Sequence, residues 1–169
     1  MTKFQTFNLA VSAILLILPI SRATAAGDDS DSTAPRPVSA KMKVERDDVR
    51  AGEMVDLVLT INVAAPAHIY APGEPANRST PTTIKLELPK GVILAKDWSF
   101  PSPTKTREGD LIYIGSNQAR CTLKISTGVS TRTLHIQAQM RYQACTDEAC
   151  WPPESLPVSV AITLRSGTP

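Results

Sequence analysis

Alternation of apolar and polar residues is the feature that most restricts the fold of this chain. Four segments show it, namely residues 55–63, 84–88, 134–142 and 158–164. In the third segment, the even-numbered residues from Leu134 to Tyr142 are apolar and the odd-numbered ones are polar. A period of two with one apolar face is typical of half-buried antiparallel strands, and no segment shows a convincing helical period. We therefore predict an all-β fold.

Turn residues separate these segments at short intervals. Gly and Pro mark the breaks at 51–52, 71–73, 89–91, 108–110, 127–128 and 152–153. Several short strands with such breaks are typical of two packed sheets. We predict one domain over residues 41–166, an immunoglobulin-like antiparallel β-sandwich.

The first 40 residues differ from the rest. Residues 1–26 carry Lys3, an apolar run from Leu9 to Ile20, and Ala23-Thr24-Ala25, which has the spacing of a cleavage site. This pattern indicates a secretory signal peptide, because the apolar run is too short to span a bilayer. Residues 27–40 are acidic, polar and Pro-containing, which predicts a disordered linker.

Export and charge restrict the cellular setting. The net charge of +2 favours neither nucleic acid nor an anionic membrane as a partner. No cysteine lies at the cleavage site, and no later segment is long and apolar enough to span a bilayer. We expect a periplasmic or secreted protein without a membrane span after cleavage, and without a cofactor.

Of the three cysteines, we expect one to be a free thiol and the other two to form a pair. Cys121 shares the apolar face of "ARCTLKI" with Ala119 and Leu123, so we expect it to be a buried free thiol. This leaves Cys145 and Cys150, in C-x4-C spacing, as the pair that an exported protein would oxidise. The two carboxylates between them, in "TDEA", disfavour a thiolate and so favour the disulfide.

Two other interpretations of the pair are open. A disulfide that closes six residues restrains the unfolded chain by only about 2 kcal/mol, which is weak for a structural staple. Metal binding would need further ligands, and His68 and His135 are the only histidines. Two thiolates without a second Cys or His cluster make a poor zinc site, so we expect no metal.

The segment "RYQACTDEACWPPESLPVSV" resembles the N-terminal periplasmic domain of the thiol:disulfide interchange protein DsbD. "RAGEMVDLVLTINVAAPAHIYA", "PTTIKLELPKGV" and "DLIYIGS" fit the same family in order, over residues 44–164. The resemblance implies a sandwich whose cysteine pair passes electrons between thioredoxin-fold oxidoreductases, here as a stand-alone domain. The loop between the cysteines is one residue shorter than in the best-known members of that family.

The resemblance also implies roles for individual residues. Cys145 and Cys150 would be the catalytic couple, and we expect Cys150 to form the intermolecular disulfide and Cys145 to resolve it. Residues expected to cap the cysteines or contact the partner are Trp98, Phe100, Tyr70, His68 and Trp151. Trp98 and Phe100 could equally be ordinary core or rim aromatics, and His68 an ordinary strand-end histidine. The alternative functions are a non-catalytic immunoglobulin-like binding module with an inert disulfide and, less favoured, a copper- or zinc-handling module.

Overall fold

The computed structural model describes residues 36–73 and 79–165. The predicted signal peptide and most of the predicted linker lie outside these residues. The described chain forms eleven strands: β1 (Val38–Val44), β2 (Met54–Val63), β3 (His68–Tyr70), β4 (Thr83–Glu87), β5 (Val92–Ser99), β6 (Thr104–Lys105), β7 (Leu111–Tyr113), β8 (Gly115–Ile125), β9 (Thr133–Tyr142), β10 (Ala144–Cys145) and β11 (Glu154–Thr163).

These strands form three hydrogen-bonded sheets. The first has the order β1-β2-β8-β5, the second β11-β9-β4, and the third β10-β3-β7-β6. Every pair of these named strands is antiparallel. The prediction of an all-β, immunoglobulin-like antiparallel sandwich is confirmed.

The core is built by the alternation seen in the sequence. The alternate residues Val55 to Val63 of β2 and Leu134 to Tyr142 of β9 are buried and join one apolar cluster. Cys121 of β8 is 3% exposed within the same cluster and is free, as predicted. Val58, the residue that breaks the alternation of β2, is buried outside that cluster, opposite Lys43 and Arg120 on the neighbouring strands.

The boundaries of two segments differ from the sequence-based prediction. Strand β1 begins at Val38, which is buried, so residues 38–40 of the predicted linker form part of the first sheet. Strand β5 extends to Ser99 and therefore includes Trp98, one of the residues expected to cap the cysteines. Its pairing with β8 is irregular at two places, and residues 93–97 are exposed, which explains why no alternation marks it.

The third sheet consists of short strands, two of which lie next in the chain to the long strands β9 and β8. Strand β10 follows β9 after a single residue, Gln143, and β7 is separated from β8 by Ile114. Gly115 has a φ of 63°, a left-handed conformation that a residue without a Cβ adopts at little cost. The chain thus passes from one sheet to another at these positions. The described residues include no helix of the length and hydrophobicity that a membrane span requires.

Candidate functional site

Cys145 and Cys150 form a disulfide between directly opposed residues of a hairpin. Their Cα atoms are 4.0 Å apart. The Thr146 N–H donates to the Ala149 carbonyl at 2.8 Å on one side of the pair, and the Trp151 N–H donates to the Ala144 carbonyl at 2.9 Å on the other. The cysteines therefore occupy a non-hydrogen-bonded position of the ladder, where opposed side chains come closest.

The turn between the cysteines is organised by Thr146. Its Oγ1 accepts the N–H groups of Glu148, at 3.3 Å, and Ala149, at 3.2 Å. Asp147 and Glu148 are exposed at the tip. Because these bonds close the hairpin independently of the sulfurs, the turn does not depend on the disulfide alone.

The two sulfur-bearing residues differ in access to solvent. Cys145 is 1% exposed, because β10 is paired to β3 on one side and to the returning hairpin on the other. Cys150 is exposed, and it is followed by Trp151, which is 40% exposed. The structure thus holds the first cysteine inside the protein and presents the second at its surface.

His68 and Tyr70 lie in the strand beside Cys145. His68 pairs directly with Cys145 across β3 and β10, so the two side chains leave the sheet on the same face. The rings of His68 and Tyr70 are 5.5 Å apart and nearly perpendicular. Both residues are half-buried. The structure therefore places His68 beside Cys145 and Tyr70 against the ring of His68.

Trp98 and Phe100 have other contacts. Both are half-buried against the apolar core, and the ring of Phe100 stacks on Tyr113 with centroids 6.3 Å apart. Tyr113 pairs with Ile69, and strand alternation puts these two side chains on the face opposite to that of His68 and Cys145. The indole Nε1 of Trp98 is buried without a hydrogen-bond partner in the described part of the chain. A cap role for either aromatic stays a prediction.

Gln143 is a residue that the sequence analysis did not select. Its Oε1 accepts the N–H of Thr80 at 3.0 Å, and its Nε2 donates to the carbonyl of Trp151 at 3.1 Å. It therefore joins the segment before β4 to the segment after Cys150. The only indication in the sequence was its place in the segment "RYQACTDEACWPPESLPVSV", which carries the resemblance.

Tyr142 and Glu154 support the far side of the hairpin. The Tyr142 hydroxyl donates to Glu154 at 3.0 Å, and Arg36 lies 3.8 Å from the same carboxylate. The pKa of Tyr142 is raised to about 12, mainly by burial and to a smaller extent by the hydrogen bond to Glu154 and the charge of Glu154. Trp151 borders a small pocket beside this pair. The contacts keep β11 in register with β9 immediately after the disulfide.

Cys121 is chemically distinct from the pair. Burial raises the pKa of its thiol from 9.0 to about 12, and the nearby carboxylates of Asp97 and Asp56 add to the increase. A thiol that keeps its proton is a poor nucleophile. Within residues 36–73 and 79–165, no group of three or more His, Cys, Asp or Glu side chains is arranged to hold a metal ion.

No family model and no curated protein matches the chain. Among solved structures, the N-terminal domain of DsbD from Neisseria meningitidis in the reduced form matches with a TM-score of 0.46 and 13% identity, over 73% of this chain and 85% of that one. The N-terminal periplasmic domain of ScsB from Proteus mirabilis matches with a TM-score of 0.46 and 17% identity, over 71% of this chain and 45% of that one.

Proteins of other kinds match with similar TM-scores. The major pilin SpaD from Corynebacterium diphtheriae has a TM-score of 0.46 and 10% identity, over 75% of this chain and 34% of that one. The GAE domain of GGA2p from Saccharomyces cerevisiae has a TM-score of 0.43 and 10% identity, over 73% and 89% of the two chains. Because all these TM-scores are below 0.5, the likenesses do not distinguish one function from another.

Proposed function

We propose that this chain is an exported thiol–disulfide exchange domain that passes electrons between thioredoxin-fold proteins through Cys145 and Cys150. The observation that carries the proposal is the unequal exposure of one disulfide, with Cys150 at the surface and Cys145 1% exposed. Exchange requires one sulfur that a partner can attack and a second that stays close enough to reverse the attack. The sequence resemblance of residues 141–160 supports the same assignment.

Uptake of electrons begins at Cys150. A thiolate of the donor attacks the Cys150 sulfur, a new intermolecular disulfide forms, and the Cys145–Cys150 bond breaks with the electron pair on Cys145. His68, paired with Cys145, is the nearest imidazole and can supply a proton to that thiolate. The second thiol of the donor then attacks the donor sulfur that is bonded to Cys150. The donor leaves with its own disulfide, and Cys150 is left reduced.

Delivery of electrons is the reverse sequence. The Cys150 thiolate attacks the disulfide of the acceptor and forms a second mixed disulfide. Cys145 gives up its proton, for which His68 is again the nearest base, and its thiolate attacks Cys150. The intramolecular disulfide re-forms and the acceptor leaves with two electrons and two protons in total. Donor and acceptor both belong to the class of dithiol proteins, so no further oxidant is required.

The surroundings of Cys150 suit a transient protein contact. Trp151, the next residue after Cys150 in the chain, is 40% exposed. Large apolar side chains at the surface are enriched where proteins meet. A disulfide of this kind also fits an oxidising compartment, which supports export.

The alternative is a binding module with an inert disulfide. The loop-entropy gain of about 2 kcal/mol gives a modest structural reason for the bond. This alternative predicts a pair that does not exchange with thioredoxin-fold proteins, whereas an electron relay must exchange.

Trapping a mixed disulfide tests the proposal. Cys145→Ser and Cys150→Ser variants are each incubated with a thioredoxin-fold protein that lacks its own resolving cysteine and whose remaining cysteine is held in a disulfide with an aromatic thiol. Attack by the variant's free thiol then forms the complex and releases the aromatic thiol. We expect Cys145→Ser, which keeps the exposed Cys150, to form the covalent complex. A complex with Cys150→Ser alone would reverse the roles, and no complex with either variant would favour the inert disulfide. A Cys121→Ser variant that retains both other cysteines controls for the third thiol.

A further inference from the structure

A cleft of about 320 Å³ opens at the edge of the second sheet, between the segment that precedes β4 and Arg141 of β9. It is lined by Ser79, Thr80, Pro81, Thr83 and Arg141. Three of these residues carry a hydroxyl group and one carries a guanidinium. A guanidinium offers five N–H donors and no acceptor, and hydroxyls can donate as well. The lining is suited to an anion.

The charges around Arg141 are not balanced within the sheet. Arg141 is exposed and lies between Thr83 of β4 and Ser155 of β11. The next row on that face contains Lys85, Gln139 and Pro157, and the first carboxylate, Glu87, lies one row further. In the described part of the chain, the ion pairs formed by arginines involve Arg36, Arg46 and Arg120, not Arg141.

The cleft is connected to the candidate redox site through Gln143. Arg141 precedes Cys145 by four residues, which corresponds to roughly 13 Å along an extended chain. Between them, Gln143 accepts the N–H of Thr80, in the wall of the cleft, and donates to the carbonyl of Trp151, next to Cys150. A partner that covers about 800 Å² around Cys150 has a footprint with a radius of roughly 16 Å, which is comparable to this separation.

We propose that this cleft binds a carboxylate of the protein that exchanges disulfides with Cys150, an inference that rests on the proposed function. The guanidinium and the hydroxyls would hold an Asp or Glu side chain of the partner by charge-assisted hydrogen bonds. The acidic turn at Asp147 and Glu148 would repel the same group near the sulfur. A partner is therefore oriented with its acidic residue over Arg141 and away from the turn.

Titration of the oxidised, isotopically labelled full chain tests the cleft directly. The probe is the blocked peptide acetyl-Ser-Asp-Ser-amide, with acetyl-Ser-Asn-Ser-amide as its uncharged control. We expect saturable NMR shifts of the Arg141 Nε–H and of the Thr80 and Thr83 amides with the Asp peptide only. Arg141→Gln should lose them. Arg132→Gln, nine residues earlier on the chain and roughly 30 Å away, should keep them. Absence of saturable shifts in the unsubstituted chain would overturn the proposal.

A second measurement tests the link to exchange. Blocked peptides carry Cys followed four residues later by Asp or by Asn, and formation of their mixed disulfide with the chain is timed. We expect the Asp peptide to react about two- to five-fold faster, as a solvent-exposed charge pair allows, and Arg141→Gln to abolish the difference. Equal rates for the two peptides would contradict a carboxylate contact during exchange. If neither peptide reacts, the proposed function fails, while the titration still decides whether the cleft binds the carboxylate.

Discussion

Among single residues, Cys121 carries a free thiol whose pKa is strongly raised. Its pKa is raised to about 12, chiefly by burial, whereas an unfolded chain would ionise the thiol near its ordinary value of 9.0. The folded state therefore binds this proton more tightly than the unfolded state. The resulting contribution to stability is complete below about pH 9 and is lost progressively as the pH rises towards 12.

We predict that Cys121→Ala reduces this alkaline loss of stability. Urea unfolding followed from neutral pH to above pH 9 should show a steeper fall of the unfolding free energy in the unsubstituted chain than in the variant. The Cys121 thiol should also resist alkylation in the folded protein. Equal slopes together with rapid native-state labelling would contradict its burial.

A substitution at His68 can separate a role of its imidazole in exchange from the packing of its ring. His68→Phe keeps an aromatic ring against Tyr70 but removes the proton donor opposite Cys145. We expect reduction by a small neutral dithiol to slow by roughly three- to ten-fold. This is less than the ~10²–10⁴ of a dedicated general acid, because the imidazole is only half-buried.

His135→Gln is the matched control for that measurement. It replaces the only other histidine, which is exposed on β9, in the second sheet. Its rate should equal that of the unsubstituted chain. An unchanged rate in His68→Phe would limit His68 to packing.

At the scale of elements, the disulfide hairpin is closed by backbone and Thr146 hydrogen bonds as well as by sulfur. We predict that the double substitution Cys145→Ala/Cys150→Ala lowers the unfolding free energy by only about 2 kcal/mol. Ile136→Ala, which empties a fully buried position of β9, should cost about 2–5 kcal/mol. Denaturant unfolding measures both. Loss of folding in the double variant would indicate a structural staple.

The aromatic residues of the β5 end provide a second test at this scale. If Trp98 or Phe100 shields the sulfurs, its replacement by Ala should speed oxidation of the reduced pair by a small oxidant. The stack of Phe100 on Tyr113, on the face opposite to Cys145, predicts instead a loss of stability with an unchanged rate. We expect the second result for Phe100→Ala. Faster oxidation would support the cap.

The long strands could be predicted from sequence and the short ones could not. β2 and β9 bury every second residue over ten positions, so their period is visible without a structure. β3 and β10 have three and two residues, too few to show a period. The inward face of Cys121 followed from its alternation, whereas Gln143 could not be found because its contacts with Thr80 and Trp151 are set by tertiary packing.

At the scale of the whole molecule, the sandwich carries one disulfide in the segment between the end of β9 and the start of β11. Strand β9 leads directly into β10, and β11 pairs with β9 immediately after Pro152-Pro153, so both cysteines are anchored to the core through the chain on either side. We expect this arrangement to keep Cys145 near Cys150 after reduction, because the Trp151–Ala144 and Tyr142–Glu154 hydrogen bonds do not involve sulfur. A pair that stays aligned can close again rapidly.

The reduction potential of the Cys145–Cys150 pair is the most direct test of the electron-relay account. The full chain, with Cys121→Ser so that only the pair contributes thiols, is equilibrated with redox buffers of known potential. Trapping of the free thiols then gives the fraction of the pair in the disulfide form. We predict a potential between about −270 and −120 mV, the range of thioredoxin-fold oxidoreductases, so that such proteins can both reduce and oxidise the pair. A potential below about −300 mV, typical of structural disulfides, would contradict the account.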